Sequence, residues 1–476
     1  MTAYLPDEEV TFRDQLNHVY NELAAAVPAM FVVGAAIVCG LLVGGVGKYV
    51  FELALGVLLI VIIERRPDLV LLCMLPVFTL VAPIAPQKAL ELLPVVLLIE
   101  VVSRGLSGRY KIPGVYVGVS SLLALWIMAS GILALGQGVS PSFQYDIVDS
   151  VLALSFGVVA AILRPRRDWL LTAITASGVV MAFSVRFSAA VAGASAAKTD
   201  VTRASALGLN PNGVALFLAL GVVAGLGKLV TTRRPAWLIP LAIMIASFPL
   251  AKSRASLLIV AGGLLGFVIF SRSMRLRVAA IVLTGVIVLV VPNIRTRIVD
   301  ATLQGRAHQL SAESDDARRH AAIKAFHLGM QHPVLGIGWG EFPNAAAADP
   351  SVGVAIVTHD DYARLLAEAG WPALALFCAL FFLAFRGRSE DDLDWALKAL
   401  LCAMAVSLVT ANVLYNIPSA FPYMAVIGTM AGTDFARRAE RAEQRKTERA
   451  AKVVTVPALG NESAPAALGN GRTSLT

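Results

Sequence analysis

The side chains best suited to chemistry here are His359 and a set of arginines, Arg203, Arg254, Arg318 and Arg364. A guanidinium is a planar fork that gives bidentate, charge-assisted hydrogen bonds, the geometry a diphosphate accepts. His359 lies in THDDYARLLAEAG, Thr358 to Gly370, with Thr358 as the expected N-cap and Asp361 three residues on. That places His359 in the first helical turn, where the helix N-terminus disfavours the imidazolium and Asp360 and Asp361 partly oppose this. A neutral ring able to take a proton near pH 7 is therefore plausible.

Other polar groups read more plainly. Lys252 and Arg254 in AKSRAS stand at the mouth of an apolar run, as a surface anchor or part of an anion site. Arg318 and Arg319 repeat the theme on a helix of the polar segment. His320, Lys324 and His327 share a stripe, but a lysine between histidines and the lack of a third ligand argue against zinc. Gly336, Gly338 and Gly340 mark a backbone that turns sharply or approaches something closely, not a dinucleotide fingerprint. Asn210-Pro211-Asn212 resembles a cap and helix start. The acidic run Glu390, Asp391, Asp392 and Asp394 reads as a solvated connector. Cys39, Cys73, Cys378 and Cys402 read as buried small hydrophobes.

These groups need elements to hold them. A polar excursion, Arg295 to Gly370, separates apolar runs, and a loop that long is usually functional. Within it a helix is expected from about Asp316 to Gln331, stopped by Pro333, with Ile323, Phe326 and Met330 on one face. Arg318, Ala322, Ala325 and Gly329 form an adjacent small-residue face open to another backbone or a ligand. A second helix runs from Thr358 to Gly370-Trp371-Pro372.

The frame around that excursion is apolar. Hydrophobic residues make up 57% of 476 and charged residues 15%, with mean hydropathy +0.73, so the expected fold is an all-α polytopic integral membrane protein. At roughly 20 mostly apolar residues per span, there are about 12–14 transmembrane helices and one large, partly helical periplasmic loop. The spans fall near 28–46, 50–63, 69–85, 89–103, 115–135, 147–163, 169–190, 208–229, 236–250, 255–270, 277–292, 371–386, 394–414 and 419–434. Residues 1–27 form an N-terminal segment without signal-peptide pattern, 28–434 the membrane domain with the loop at 293–370, and 435–476 a basic helix and disordered tail. The net charge of +8 sits in short loops at alternate span ends, which fits membrane topology rather than nucleic acid. Both termini are then cytoplasmic and the loop external.

Taken in order, NPNGVALFLAL from Asn210, KSRAS from Lys252, Arg318 followed by HPVLGIGWGEF from His332, and THDDYARLLAEAG from Thr358 resemble the O-antigen ligase and Wzy-type polymerase superfamily. The resemblance spans roughly residues 208–385. It implies a bacterial inner-membrane glycosyltransferase that uses an undecaprenyl-diphosphate-linked glycan on the periplasmic side. The acceptor is lipid A-core for a ligase and a lipid-linked repeat unit for a polymerase. It implies diphosphate contacts from Arg254 and Arg318 and catalysis by His359; Arg203, Asn212, Lys252, Arg319, Gly338 and Asp360 are the further candidates for substrate contact. His359-Asp360 departs from the family's common His-Asn or His-Ser pair, and Ala322 stands where an aromatic residue often does. No metal or cofactor is implied, since guanidinium groups can stabilise charge developing on the leaving diphosphate. Membrane lipids are the other expected partner. The rival is a transporter or flippase of lipid-linked saccharide, for which Arg186 is the main intramembrane ionisable residue, ahead of Glu52, Glu91 and Glu100 nearer span ends. A metal-dependent transferase is a third reading.

Overall fold

The computed structural model describes residues 66–81, 87–135, 142–195, 211–251, 253–271, 273–290, 306–349, 352, 358, 360–414 and 417–454. Among them the regular structure is helical, with no strand. In chain order the helices are α1 (Pro67–Val81), α2 (Gln87–Leu106), α3 (Gly114–Leu135), α4 (Ser142–Leu163), α5 (Arg167–Ser195) and α6 (Pro211–Thr232). After a 3-10 turn at Pro235–Trp237 come α7 (Leu238–Ile245), α8 (Phe248–Ala251), α9 (Arg254–Phe270) and α10 (Met274–Val290). The polar insertion supplies α11 (Arg306–Gln331) and α12 (Phe342–Ala347), followed by α13 (Asp361–Phe385), α14 (Asp392–Ser407) and α15 (Ile417–Val454).

Among the described residues, stretches of α3, α5, α6 and α13 are long and apolar enough to cross a membrane, and shorter apolar helices lie at 67–77, 147–163, 235–245 and 255–270. The chain is an all-α polytopic membrane protein. Its centre is α6, packed by α5, α9 and α14, while α15 lies against α4 and α13. Close helix packing in lipid favours small residues. A Cβ on Gly178 of α5 or Gly221 of α6 would stand 2.8 Å from the other's Cα.

The structure corrects several expectations. The run at 236–250 is broken: α7 stops at Ile245 and α8 starts afresh at Phe248. The run at 394–414 ends as helix at Ser407, and residues 408–414 fold back as a turn. The helix of the polar insertion begins at Arg306, ten residues before the expected start. Cys73 and Cys378 are exposed on helix surfaces rather than buried, and Cys402 is half-buried. The expected spans at 28–46 and 50–63 lie outside the described residues.

The acidic run is no mere connector. Asp391 caps α14 by accepting from the Asp394 N–H at 2.9 Å. Asp394 is buried, bonded to Arg167 and, at 2.8 Å, to Arg437. Arg167 also holds Asp391 at 2.7 Å, and Glu390 pairs with Arg437 and Arg441. This cluster joins the start of α5, the start of α14 and the middle of α15. At the opposite end of the bundle α6, α9 and α13 begin and α14 ends.

Candidate functional site

At that opposite end, α11 packs on the first part of α13. Ala321, Ala325 and Leu328 of α11 bury against Phe342, Ala346 and Ala367 as a small satellite core. A Cβ on Gly329 would reach within 2.9 Å of the Leu366 carbonyl oxygen, so the small-residue face expected from sequence does receive another backbone. Successive helical residues turn by about 100°, which puts half-buried Arg318 on the side of Ala325 and Gly329. Arg319 falls on a different face and is exposed there with Ile323 and Phe326. The two neighbouring arginines thus point to separate environments.

The glycine loop completes the platform. Gly370 adopts φ 77° and divides α13 into a short helix at 361–369 and a longer one from Trp371. A helix end leaves its last carbonyls without partners, and here those of Ala367, Glu368 and Ala369 find them. Ile337 N–H donates to Ala367 O at 2.9 Å and Gly338 N–H to Glu368 O at 3.1 Å. The Ser130 hydroxyl donates to Glu368 O at 2.5 Å, and Trp126 Nε1–H to Ala369 O at 3.0 Å. Trp371 N–H returns a bond to Pro333 O at 2.9 Å. Gly336, at φ 67°, lies so close that a Cβ would come 2.5 Å from the Ala367 carbonyl oxygen. Gly338 is buried, and a Cβ there would meet Ala134 Cβ at 2.5 Å. Its surroundings are protein, so the structure gives it a packing role. Fully buried Trp339 seats the loop among Leu123, Ile127, Leu365 and Phe377.

The start of α13 is pinned on the other side. Asp360, not Thr358, is the N-cap: its Oδ1 accepts from Ala363 N–H at 3.0 Å. The Thr358 hydroxyl instead donates to Asp360 O at 2.7 Å and accepts from Asp360 N–H at 3.1 Å, a short-range turn that precedes the helix. Fully buried Asp361 accepts at Oδ2 from Val413 N–H (2.7 Å) and Leu414 N–H (3.3 Å), while its own N–H donates to Leu408 O at 2.7 Å. Tyr362 donates its hydroxyl to Ala405 O at 3.2 Å. Burial holds the Asp360 carboxyl above the ordinary carboxylate range, against the opposing pull of the Ala363 and Tyr362 N–H groups. His359 itself lies outside the described residues, as do Arg203 and Lys252. Both chain neighbours of position 359 are anchored.

Sequence reasoning passed over the partner of Arg364. Arg364 Nε–H donates to Glu368 Oε1 at 2.9 Å, with both side chains buried, and Phe342 N–H donates to the same oxygen at 3.2 Å. The i,i+4 spacing in RLLAE signals such a pair. Nothing in that spacing separates it from a surface pair, because its burial comes from α11 and the loop.

The remaining expected residues lie where α6 and α9 begin. Pro211 opens α6 and Asn212 Oδ1 accepts from the Ser253 hydroxyl at 3.1 Å, which ties its first turn to the N-cap of α9. Arg254 is the first residue of α9. Arg186 donates to the Ser247 hydroxyl at 3.0 Å, in the turn leading to α8, near this same end of the bundle. The structure therefore brings the starts of α6 and α9 together, and separately packs the Gly329 face of α11, which also carries Arg318, against Leu366 of α13.

The described residues thus form a helical membrane bundle, one end of which carries the pinned Asp361 and the buried Arg364–Glu368 pair. Residues 239–378 match the family described as O-Antigen ligase. The match covers less than a third of the chain, includes Arg254, Arg318, His359 and Glu368, and supports a likeness to the O-antigen ligase superfamily over that part. Comparison with curated proteins gives no match.

Proposed function

We propose that the chain transfers glycan from an undecaprenyl-diphosphate carrier to a hydroxyl acceptor at the end of the bundle where α6, α9 and α13 begin. That face is periplasmic in this reading, the membrane is the bacterial inner membrane, and the acceptor is lipid A-core or a lipid-linked repeat unit. The family match across Arg254, Arg318 and His359 carries the reading, since it spans both the candidate donor contacts and the candidate base. In the reaction the acceptor oxygen bonds to the anomeric carbon, the carbon–oxygen bond to the diphosphate breaks, and the acceptor's proton passes to His359. Arg254 and Arg318 stabilise the charge gained by the departing diphosphate. General-base help of this kind contributes typically about 10²- to 10⁴-fold.

The platform supports the role of position 359. Asp361 and Tyr362 fix the helix start to residues 405–414, and Thr358 fixes the preceding turn. A base held on such a frame needs little reorganisation to meet its substrate. The test is transfer by purified protein in detergent, with His359→Ala and His359→Gln. Both variants should bind donor and fail in single-turnover transfer, because an amide keeps hydrogen bonding but takes no proton. Wild-type rates from His359→Gln would remove the general-base assignment. Wild-type protein that moves lipid-linked saccharide across sealed vesicles without transferring it would establish the flippase alternative.

A further inference from the structure

The exposed face of α11 has no role in the site described above. Ile323, Phe326 and Met330 repeat at helical spacing and are 46%, 50% and 53% exposed, and Val334 beyond the helix end is 58% exposed. The satellite core uses the other side of the helix, through Ala321, Ala325 and Leu328. A contiguous apolar stripe on an otherwise charged helix marks a surface for an apolar neighbour. The backbone shows where that neighbour begins. Trp371 is 45% exposed at the head of the apolar half of α13, and its N–H is bonded at 2.9 Å to Pro333 O, next to Val334. The lower end of the stripe is thereby tied to the level at which a membrane-crossing segment starts, where tryptophan is the favoured boundary residue.

We propose that the Ile323–Phe326–Met330–Val334 stripe inserts into the interfacial layer of the bilayer, so that α11 is an in-plane membrane anchor for the polar insertion. The occupant is phospholipid. Arg319, four residues before Ile323 on the same face and exposed, is placed to meet lipid phosphate while the apolar side chains enter the acyl boundary. The helix is then gripped on two sides, by α13 through its alanines and by lipid through the stripe. This inference depends on the chain being a membrane protein, not on the transfer reaction or its sidedness.

The experiment places an environment-sensitive fluorophore on Phe326→Cys, Met330→Cys or Ala347→Cys after the native cysteines are changed to alanine. Each variant is checked for monodisperse folding and reconstituted into phosphatidylethanolamine/phosphatidylglycerol vesicles that carry nitroxide on the headgroup or on an early acyl carbon. Ala347 is exposed on α12, which packs on the opposite side of α11. Quenching by the acyl nitroxide should be about threefold stronger at positions 326 and 330 than at 347, the pattern of shallow insertion. Equal quenching at all three positions overturns the proposal. So does quenching at 326 and 330 only after polyprenyl-diphosphate is added, or only by a second labelled copy of the chain.

Discussion

Replacing Gly336 with alanine tests whether the glycine loop is built on the carbonyl end of the short helix before the kink. Gly336 has φ 67°, and a Cβ would stand 2.5 Å from the Ala367 carbonyl oxygen. The left-handed backbone costs an L-residue roughly 1–2 kcal/mol. Relief of the overlap must move the loop from α13, which breaks the bonds from Ile337 and Gly338 to Ala367 and Glu368. Those two bonds are worth about 1 kcal/mol each, so Gly336→Ala should destabilise by on the order of 3–4 kcal/mol. Gly108 supplies the control: it has φ 77° and nothing within 4 Å of a built Cβ, so alanine there should cost only the backbone amount. The assay is unfolding of both variants in mixed micelles under matched conditions, followed by detergent transfer activity. If Gly336→Ala is no less stable than Gly108→Ala, the loop does not rest on α13 as described and the pinned platform fails with it.

Arg254→Lys and Arg318→Lys should each lose most transfer activity at matched expression, since an ammonium cannot reproduce a guanidinium fork on diphosphate; unchanged rates in both would return these residues to surface anchoring. Transfer should persist in EDTA, and activity lost on chelation and restored by Mg²⁺ or Mn²⁺ would establish the metal-dependent reading, with Asp315, Asp316, Asp360 and Asp361 the first carboxylates to test. Asp360→Asn keeps a capping acceptor and removes a charge that burial disfavours. Because the folded carboxyl titrates above its unfolded value, its protonation favours folding below the unfolded pKa, and that gain is lost as pH rises through the folded one. The stability of Asp360→Asn relative to wild type should therefore improve as pH rises through this window, and Asp360→Ala should follow the same pH dependence, lower by about 1 kcal/mol for the lost cap. A stability difference between Asp360→Asn and wild type that does not vary with pH would contradict the burial argument.

What the sequence disclosed depended on whether the signal was local. Apolar runs announced α3, α5, α6 and the later half of α13, because a span must be apolar over its own length whatever surrounds it. Pro333 and Gly370 marked the end of α11 and the kink of α13 by backbone chemistry alone. The expected start of α11 failed because 306–315 carries no apolar period to read. The Asp394 cluster was missed because Arg167 stands 227 positions away in the chain and Arg437 stands 43. The Arg364–Glu368 pair is local in spacing but acquires its burial from α11 and the glycine loop. Candidate arginines could be proposed from their residue type, and helical spacing set Arg318 on the small-residue face; the fold adds that Arg318 is half-buried there and Arg319 exposed.

The Arg167–Asp391–Asp394–Arg437 cluster also orders how the chain can be assembled. Arg167 enters the membrane with the first half of the protein, whereas both aspartates arrive late and Arg437 later still. During synthesis Asp394 can find Arg167 before α15 exists, but the four-member cluster closes only when α15 docks against α4 and α13. A chain truncated before Arg437 keeps buried Asp394 with half of its cationic partners. Such a buried carboxylate is left without its full set of counter-charges, an arrangement that destabilises the fold.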